Sequence, residues 1–231
     1  MKLTKWDNLP AEMRCDEVRK YYDILAKRKF SLLLKRLFDI VVASVLLVVL
    51  SPVFAVLSLL IVLDSRGGVF FRQTRVTTNG RTFRIFKFRS MVANAEKIGS
   101  QVTTSNDMRV TRMGKLLRGC RLDEIPQLLN ILTGDMTFVG TRPEVVKYVD
   151  RYTPEMRATL LLPAGVTSEA SIYYKDESEL LDKAFNVDEV YVNEVLPGKM
   201  KYNLAAIESF SFVHECVIMV KTVLAVCGVK S

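Results

Sequence analysis

Histidine is almost absent from this sequence, and cysteine is scarce. His214 is the one histidine among 231 residues, and the four cysteines form no C-x-x-C pair. Neither a zinc site with His and Cys ligands nor a disulfide scaffold is therefore indicated, and the cysteine pattern is typical of a reducing compartment. A metal would have to be held by carboxylates and phosphates, which favours Mg²⁺. No cleavable signal peptide is indicated, because the first long apolar segment begins too far from the N-terminus.

Positive charge and apolar side chains are present in excess. The formal net charge is +8, 49% of the residues are hydrophobic and the mean hydropathy is +0.18. The charge indicates an anionic partner, such as acidic lipid headgroups, phosphorylated substrates or nucleic acid. Nucleic acid is disfavoured because no aromatic stacking platform accompanies the cations. The length suits one compact domain with an accessory element.

The longest apolar segment, residues 40–63, contains no charged side chain. It is longer than the roughly 20 residues that a helix needs to cross the hydrocarbon core of a bilayer. Ser51 and Pro52 divide it, however, and proline removes a backbone hydrogen bond inside a helix. Basic residues flank both ends, and such flanks prefer the cytoplasmic side. Two interpretations are open from these residues alone: a kinked spanning helix, or a re-entrant helix that turns at Ser51-Pro52 and returns to the same face.

Two segments rich in β-branched and aromatic residues follow, at 69–76 and 82–89. The Asn-Gly pair between them predicts a β-hairpin. On its second strand Lys87 and Arg89 share one face, where they are placed either to meet phosphate or to be solvated.

Three further segments have helical patterns. Residues 18–25 of the charged N-terminal stretch show apolar side chains at helical spacing. Residues 108–119 predict a helix with a wide sector of cations that includes Arg118, a pattern that is usually a solvated face. Residues 210–229 are apolar but interrupted by charges, which predicts an amphipathic helix in the headgroup plane, with a buried core helix as the alternative.

Asp123 and Glu124 lie just before Pro126 and an apolar helical stripe. Asp is a preferred N-cap and proline is tolerated in a first helical turn, so the pair is predicted at a helix N-terminus. That environment favours an ionised carboxylate, which covalent attack on phosphorus requires, and it also suits phosphate. Ordinary helix capping is the alternative explanation. Downstream, the loop around Pro143 holds Arg142, and arginine suits bidentate phosphate recognition.

Taken together, these residues resemble the bacterial sugar transferases, the monotopic phosphoglycosyl transferases that begin glycan assembly on a polyprenyl phosphate. Many short motifs occur in the same order over residues 35–181, and their number makes the resemblance specific. The matching stretches are residues 35–39, 51–52, 69–73, 86–91, 122–128, 130, 134–136, 139–140 and 142–143.

The resemblance implies a ping-pong reaction. Asp123 would attack the sugar-linked phosphate of a UDP-sugar and release UMP, and the lipid phosphate would then attack the phosphosugar-enzyme intermediate. Glu124 would position the pair or deprotonate the lipid phosphate, and Mg²⁺ would be held through Asp123 and the diphosphate. The phosphate-contacting positions implied by the resemblance are Lys87, Arg89, Arg118 and Arg142.

The resemblance also implies an α+β, mostly helical, monotopic membrane protein with a re-entrant helix broken at Ser51-Pro52, a β-hairpin and interfacial amphipathic helices. We expect an amphipathic, basic N-terminal extension at 1–34, the re-entrant helix at 35–64, and a catalytic domain at 65–231 that ends in an interfacial helix at about 207–229. The implied location is the bacterial inner membrane, with the catalytic domain facing the cytoplasm. Downstream glycosyl transferases and a homodimer are further possible partners, and no nucleic acid is expected.

Two departures from the family pattern concern the sugar and phosphate pockets. Thr141 stands where members of the family commonly have proline, and the family's Pro-Gly-Ile-Thr stretch is replaced by residues 164–167, with Pro163 one position early. Two rival hypotheses remain. One is a non-catalytic membrane-surface module that binds anionic lipid through its cations, and the other is an enzyme with a kinked spanning helix.

Overall fold

The structure consists of helices that pack around two small, two-stranded sheets. The computed structural model describes residues 1–95, 107–174, 181 and 186–226. The α-helices are α1 (Asp16–Ala26), α2 (Lys29–Val49), α3 (Ser51–Asp64), α4 (Arg112–Gly119), α5 (Gln127–Thr133), α6 (Val146–Val149), α7 (Glu169–Tyr173), α8 (Val187–Val190), α9 (Leu196–Glu208) and α10 (Phe212–Val226). The strands are β1 (Phe70–Val76), β2 (Thr82–Phe88), β3 (Met136–Val139) and β4 (Ala164–Thr167). The predicted α+β, mostly helical class is confirmed at this level.

The N-terminal stretch packs into the largest hydrophobic core. Val18, Tyr21 and Leu25 form the buried face of α1, and the core that they enter also contains side chains from α6 and α9. Because α2 begins at Lys29, the boundary predicted at residues 34/35 falls inside a helix. The apolar face of this segment is buried by contacts with the C-terminal half of the chain. That residues 1–34 act as an amphipathic, basic extension stays a prediction.

A sharp bend separates α2 from α3. Pro52 lies in the first turn of α3, where its missing N–H is not needed, and the Ser51 hydroxyl donates to the carbonyl of Val48 (2.8 Å). No single described helix is long and apolar enough to cross a membrane. By length and composition the pair Lys29–Val49 and Ser51–Asp64, bent by 61°, passes such a test together.

Two charged side chains in the middle of α2 hold this helix against α5 and β3. Arg36 donates to the carbonyls of Ile131 (2.6 Å) and Leu132 (3.0 Å) at the end of α5. Asp39, almost fully buried, accepts from the Thr137 hydroxyl of β3 (2.6 Å). These bonds satisfy helix-end carbonyls and a buried carboxylate at once.

The predicted hairpin is confirmed. β1 and β2 pair antiparallel, with Phe70 opposite Phe88 and Val76 opposite Thr82. Asn79 and Gly80 both have positive φ (57° and 75°), which is the geometry that favours an Asn-Gly turn.

β3 and β4 pair in parallel and fix the start of the loop that carries Arg142. Gly140 donates its N–H to Thr167 (2.9 Å), and Gly165 donates to the carbonyl of Thr141 (2.8 Å). A Cβ at Gly165 would collide with the backbone of Gly140, so the two strands approach this closely only because glycine stands there.

The C-terminal helix expected at about 207–229 corresponds to α10, and α9 ends just before it. The chain leaves helical geometry between Glu208 and Phe212, and α10 then runs to Val226, while residues 227–229 lie outside the described residues. α10 packs on α2, where Phe38 meets Phe212 edge to face and Lys35 forms an ion pair with Glu215.

Candidate active site

The Asp-Glu pair lies in a 3₁₀ turn, Leu122–Glu124, between α4 and α5. α5 begins at Gln127 with Pro126 at its N-cap position, so Asp123 does not cap it. The prediction of a helix N-terminus was therefore wrong in detail: the same Asp and Pro signals suit a short 3₁₀ turn that leads into a helix. The backbone enters this turn through Arg121, which has the left-handed conformation (φ 56°).

Glu124 is held by two cations. Lys87 Nζ donates to Glu124 Oε1 (2.9 Å), and Arg142 donates to the same oxygen from NH2 (2.5 Å) and to Oε2 from NH1 (3.4 Å). Burial by itself would raise the pKa of Glu124, but the charges of Arg142 and Lys87 outweigh it and keep the pKa well below its ordinary value. Glu124 is thus a fixed, ionised counter-ion.

Asp123 has a different environment, although it is the adjacent residue. It is 6% exposed, and its carboxylate accepts no hydrogen bond from any of the described residues. Burial raises its pKa, and the neighbouring charge of Glu124 adds to the rise, whereas Lys87, Arg118 and Arg142 lower it. The pair therefore consists of one carboxylate that is bound by two cations and one that accepts no hydrogen bond from the described residues.

Arg118 approaches the pair from the last turn of α4. Its Nε donates to the hydroxyl of Ser90 (2.9 Å), which fixes the guanidinium, and its charge acts on both carboxylates of the pair. Burial lowers the pKa of Arg118 and Asp123 opposes that effect. α4 begins at Arg112 rather than at residue 108, and a Cβ at Gly114 would collide with the Ser90 backbone, so α4 packs tightly on the segment after β2.

Arg89 is not brought to the pair. It lies one residue beyond β2, it is buried, and its NH2 donates to the carbonyls of Ile61 (3.2 Å) and Ser65 (2.6 Å) at the C-terminal end of α3. A cation there satisfies helix-end carbonyls and the negative end of the helix dipole. A phosphate contact for Arg89 stays a prediction without geometric support, and the face that it was expected to share with Lys87 ends with the strand.

Asn130 was matched by sequence but given no role, and it proves to be the residue that aligns the strand with the pair. Its Oδ1 accepts the N–H of Phe86 (2.8 Å), and its Nδ2 donates to the carbonyl of Arg84 (3.2 Å). The Asn130 side chain thereby pairs with the backbone of β2 as a neighbouring strand would. These bonds fix the part of β2 that carries Lys87 relative to Glu124. In the sequence, the feature that could have indicated this role was a polar amide beside the apolar residues of the predicted helix.

The protein provides only part of a metal site. The described residues contain no group of three or more His, Cys, Asp or Glu side chains that could hold a metal ion. Asp123 could supply one oxygen ligand, because no described residue donates a hydrogen bond to it. Mg²⁺ is commonly bound by one or two carboxylates together with substrate phosphates, so the site fits a metal that arrives with a diphosphate.

The arrangement suits the chemistry of a phosphate ester. Three cations, Lys87, Arg118 and Arg142, surround an unbound carboxylate, and they can offset its repulsion for an anionic phosphorus centre. Ser51 and Pro52 lie at the helix bend rather than in this cluster.

A family comparison agrees with this chemistry. The family model for bacterial sugar transferases matches residues 30–229. The chain belongs to the bacterial sugar transferase family.

Characterised relatives of this sugar transferase carry related names. It is 35% identical over 176 residues to the UDP-N-acetylgalactosamine-undecaprenyl-phosphate N-acetylgalactosaminephosphotransferase of Aeromonas hydrophila, covering 75% of this chain and 38% of that protein. It is 39% identical over 146 residues to the UDP-glucose:undecaprenyl-phosphate glucose-1-phosphate transferase of Escherichia coli K12, covering 61% and 31%. It is 30% identical over 218 residues to the exopolysaccharide production protein ExoY of Sinorhizobium fredii, covering 88% and 86%. The chain therefore spans only about a third of the length of the first two relatives.

Proposed function

We propose that this protein transfers a sugar 1-phosphate from a UDP-sugar to undecaprenyl phosphate and releases UMP. The observation that carries the proposal is the contrast within the pair: Glu124 is bound by Lys87 and Arg142, whereas Asp123 is surrounded by cations but accepts no hydrogen bond from a described residue. The names of the relatives supply the substrate class, since they specify UDP-sugars and undecaprenyl phosphate.

In the first step an Asp123 carboxylate oxygen attacks the β-phosphorus of the UDP-sugar. A bond forms between that oxygen and phosphorus, and the bond from the β-phosphorus to the bridging oxygen breaks, so UMP leaves with the electron pair. Arg118 and Arg142 lie where they can stabilise charge on the phosphoryl oxygens. In the second step an oxygen of undecaprenyl phosphate attacks the same phosphorus and displaces Asp123, which forms the diphosphate-linked lipid sugar.

Glu124 acts in this scheme as a positioning group. Its pKa is held well below the ordinary value by Arg142 and Lys87, so it is a weak base for deprotonating a lipid phosphate. Its charge instead fixes both cations at the site and disfavours their movement away from the substrate. Mg²⁺, held by Asp123 and the diphosphate, would neutralise charge that develops on the leaving group.

The exposed apolar surface favours a membrane-bound enzyme that enters the bilayer from one side. Large apolar side chains are exposed on α2, α3 and α10, among them Val48, Leu63 and Val220. A patch of this kind marks a membrane or protein interface. We propose that α2 and α3 enter the cytoplasmic leaflet and return, with α10 at the interface. Cysteines placed at positions 34 and 66 would report this in a labelling experiment: labelling from opposite sides would contradict the re-entrant arrangement.

The reaction is tested by incubating the purified protein with UDP-sugars and undecaprenyl phosphate. We expect UMP as the released nucleotide and a phosphosugar adduct on Asp123 when the lipid is withheld. Release of UDP would instead indicate a glycosyl transferase, and an adduct on another residue would overturn the assignment of the nucleophile. A protein that binds anionic lipid but releases neither nucleotide would support the non-catalytic membrane module.

A further inference from the structure

Arg75 lies beside the loop that carries Arg142, on the same face of the β1–β2 hairpin as Lys87. It stands opposite Phe83 in the hairpin register, near the end of β1. Its NH1 donates to the carbonyl of Pro143 (3.1 Å), directly after Arg142.

Gln73 orients that guanidinium. Its Oε1 accepts from Arg75 Nε (3.0 Å) and from Arg75 NH2 (2.6 Å). A guanidinium is planar, so two bonds along one edge determine the direction of the remaining N–H groups. With Gln73 on that edge, the NH1 group of Arg75 faces the Pro143 carbonyl.

The backbone around Arg142 is therefore held on both sides. On the preceding side, Thr141 accepts a hydrogen bond from Gly165 (2.8 Å). On the following side, the backbone carbonyl of Glu144 accepts a hydrogen bond from the N–H of Val76 (2.9 Å). The neighbouring carbonyl of Pro143 is the one that Arg75 bonds. Arg142 lies between these attachments, which hold the backbone from which its side chain contacts Glu124.

We propose that Gln73 and Arg75 form a clamp that positions Arg142, so that Arg142 is aligned both with Glu124 and with the phosphate that reacts at Asp123. The proposal rests on the proposed function for its substrate. Arg75 is a positioning residue, because it acts through the Pro143 carbonyl and Arg142. Loosening the clamp lets Arg142 move while the fold and the Asp123 carboxylate remain.

Three variants test the clamp. Arg75→Lys keeps the charge but cannot bond Gln73 and Pro143 in the same fork, and Gln73→Ala removes the orienting oxygen while keeping Arg75. Gln73→Glu retains an oxygen that can accept from Arg75, so its kcat/KM should stay near the wild-type value, unlike that of Gln73→Ala. A displacement of about 1 Å in a catalytic group can cost on the order of 100-fold, so we expect kcat/KM for the UDP-sugar to fall by about 10- to 100-fold in the first two variants. Arg84→Gln is the matched control, since it removes a cation from the opposite face of the same hairpin.

A double-mutant cycle with Arg142→Gln separates positioning from general stability. If Arg75 acts through Arg142, Arg75→Lys should cause little further loss of kcat/KM in the Arg142→Gln background, because the two losses share one cause. Full additivity of the two losses would overturn the clamp, and so would normal activity of both Gln73→Ala and Arg75→Lys. Thermal unfolding of each variant shows whether it is folded.

Rescue by an acceptor at position 73 provides a second measurement. Gln73→Glu keeps an oxygen that can accept from Arg75, so its kcat/KM should stay near the wild-type value, and a Gln73→Glu variant as impaired as Gln73→Ala would contradict the clamp. If the wild-type protein releases no UMP, the proposed function fails; if it does and these variants behave like Arg84→Gln, only the clamp fails.

Discussion

Two groups of charged side chains in this protein use their charges in opposite ways. In the middle of α2, Arg36 is bonded to backbone carbonyls at the end of α5, and Asp39 is bonded to the Thr137 hydroxyl of β3. At the Asp123-Glu124 pair, Glu124 is bonded to two cations, but Asp123 accepts no hydrogen bond from the described residues. Asp39 and Asp123 are both buried, so burial alone does not distinguish them.

The difference shows where chemistry can occur. A buried carboxylate with hydrogen-bond donors around it is stable and unreactive, whereas one that is only surrounded by charge keeps its lone pairs for a substrate. The same contrast applies to two arginines. Arg89 is bonded to the end of α3, while Arg118 is fixed through Nε and directs its charge at Asp123.

Replacing Asp123 should have the largest effect. Asp123→Asn preserves shape and removes the nucleophile, so we expect UMP release to fall by at least about 1,000-fold, as losses of covalent nucleophiles do. Initial rates with saturating UDP-sugar and undecaprenyl phosphate measure this. Asp39→Asn is the matched control. If UMP release per folded molecule fell equally in Asp39→Asn and Asp123→Asn, the two buried carboxylates would not differ in function.

The two arginines should differ in the type of damage. Arg118→Gln removes a charge-assisted phosphate contact, and we expect kcat/KM to fall by about 10- to 100-fold with a nearly unchanged unfolding midpoint. Arg89→Gln should instead lower stability by about 1–3 kcal/mol, because buried helix-end carbonyls lose their donor. Steady-state kinetics and denaturant titration together decide this, and a selective loss of UDP-sugar affinity in Arg89→Gln would restore Arg89 to the site.

Much of the fold could be predicted from local signals. The Asn-Gly turn predicts the hairpin through its positive φ angles, and Pro52 predicts the break between α2 and α3 because proline cannot continue the preceding helix. The grouping of Lys87 and Arg142 with the pair came from the ordered motifs, since no local pattern relates residues so far apart in sequence.

Other features depended on tertiary contacts. The core that receives Tyr21 and Leu25 of α1 could not be predicted from the sequence, because it is formed by residues far along the chain. Arg89 looked like a neighbour of Lys87 by strand periodicity, but the strand ends at Phe88. The 3₁₀ turn at Asp123 carries the same Asp and Pro signals as a helix start, so sequence did not separate the two.

The structural group at α2 can be weakened without removing the chemistry. In the wild type the two oxygens of the Asp39 carboxylate accept hydrogen bonds from the Thr137 hydroxyl and the Phe138 N–H. The carboxamide of Asp39→Asn has only one oxygen and no charge, so we expect the free energy of unfolding to fall by about 1–3 kcal/mol. Activity per folded molecule should stay within about twofold of wild type, measured by active-site titration of the phosphosugar adduct. If Asp39→Asn formed less phosphosugar adduct per folded molecule but kept normal stability, Asp39 would take part in the reaction.

The smallest effect, a difference in stability with pH, should have opposite signs at the two carboxylates of the pair. The folded-state pKa of Glu124 is lowered, so its charge stabilises the fold above the unfolded pKa of about 4.3, and this contribution is lost as the pH falls through the folded pKa. The folded-state pKa of Asp123 is raised, so its ionisation costs stability above that pKa and costs nothing below the unfolded value of about 3.9. At pH 7 Glu124→Gln should therefore destabilise the protein and Asp123→Asn should stabilise it. The Asp123→Asn difference should disappear as the pH falls from the raised folded-state pKa to about 3.9, whereas the Glu124→Gln difference should begin to shrink only below about 4.3. Denaturant titrations of the three proteins across this range measure the differences, and equal signs at pH 7 would mean that both carboxylates are bound in the same way.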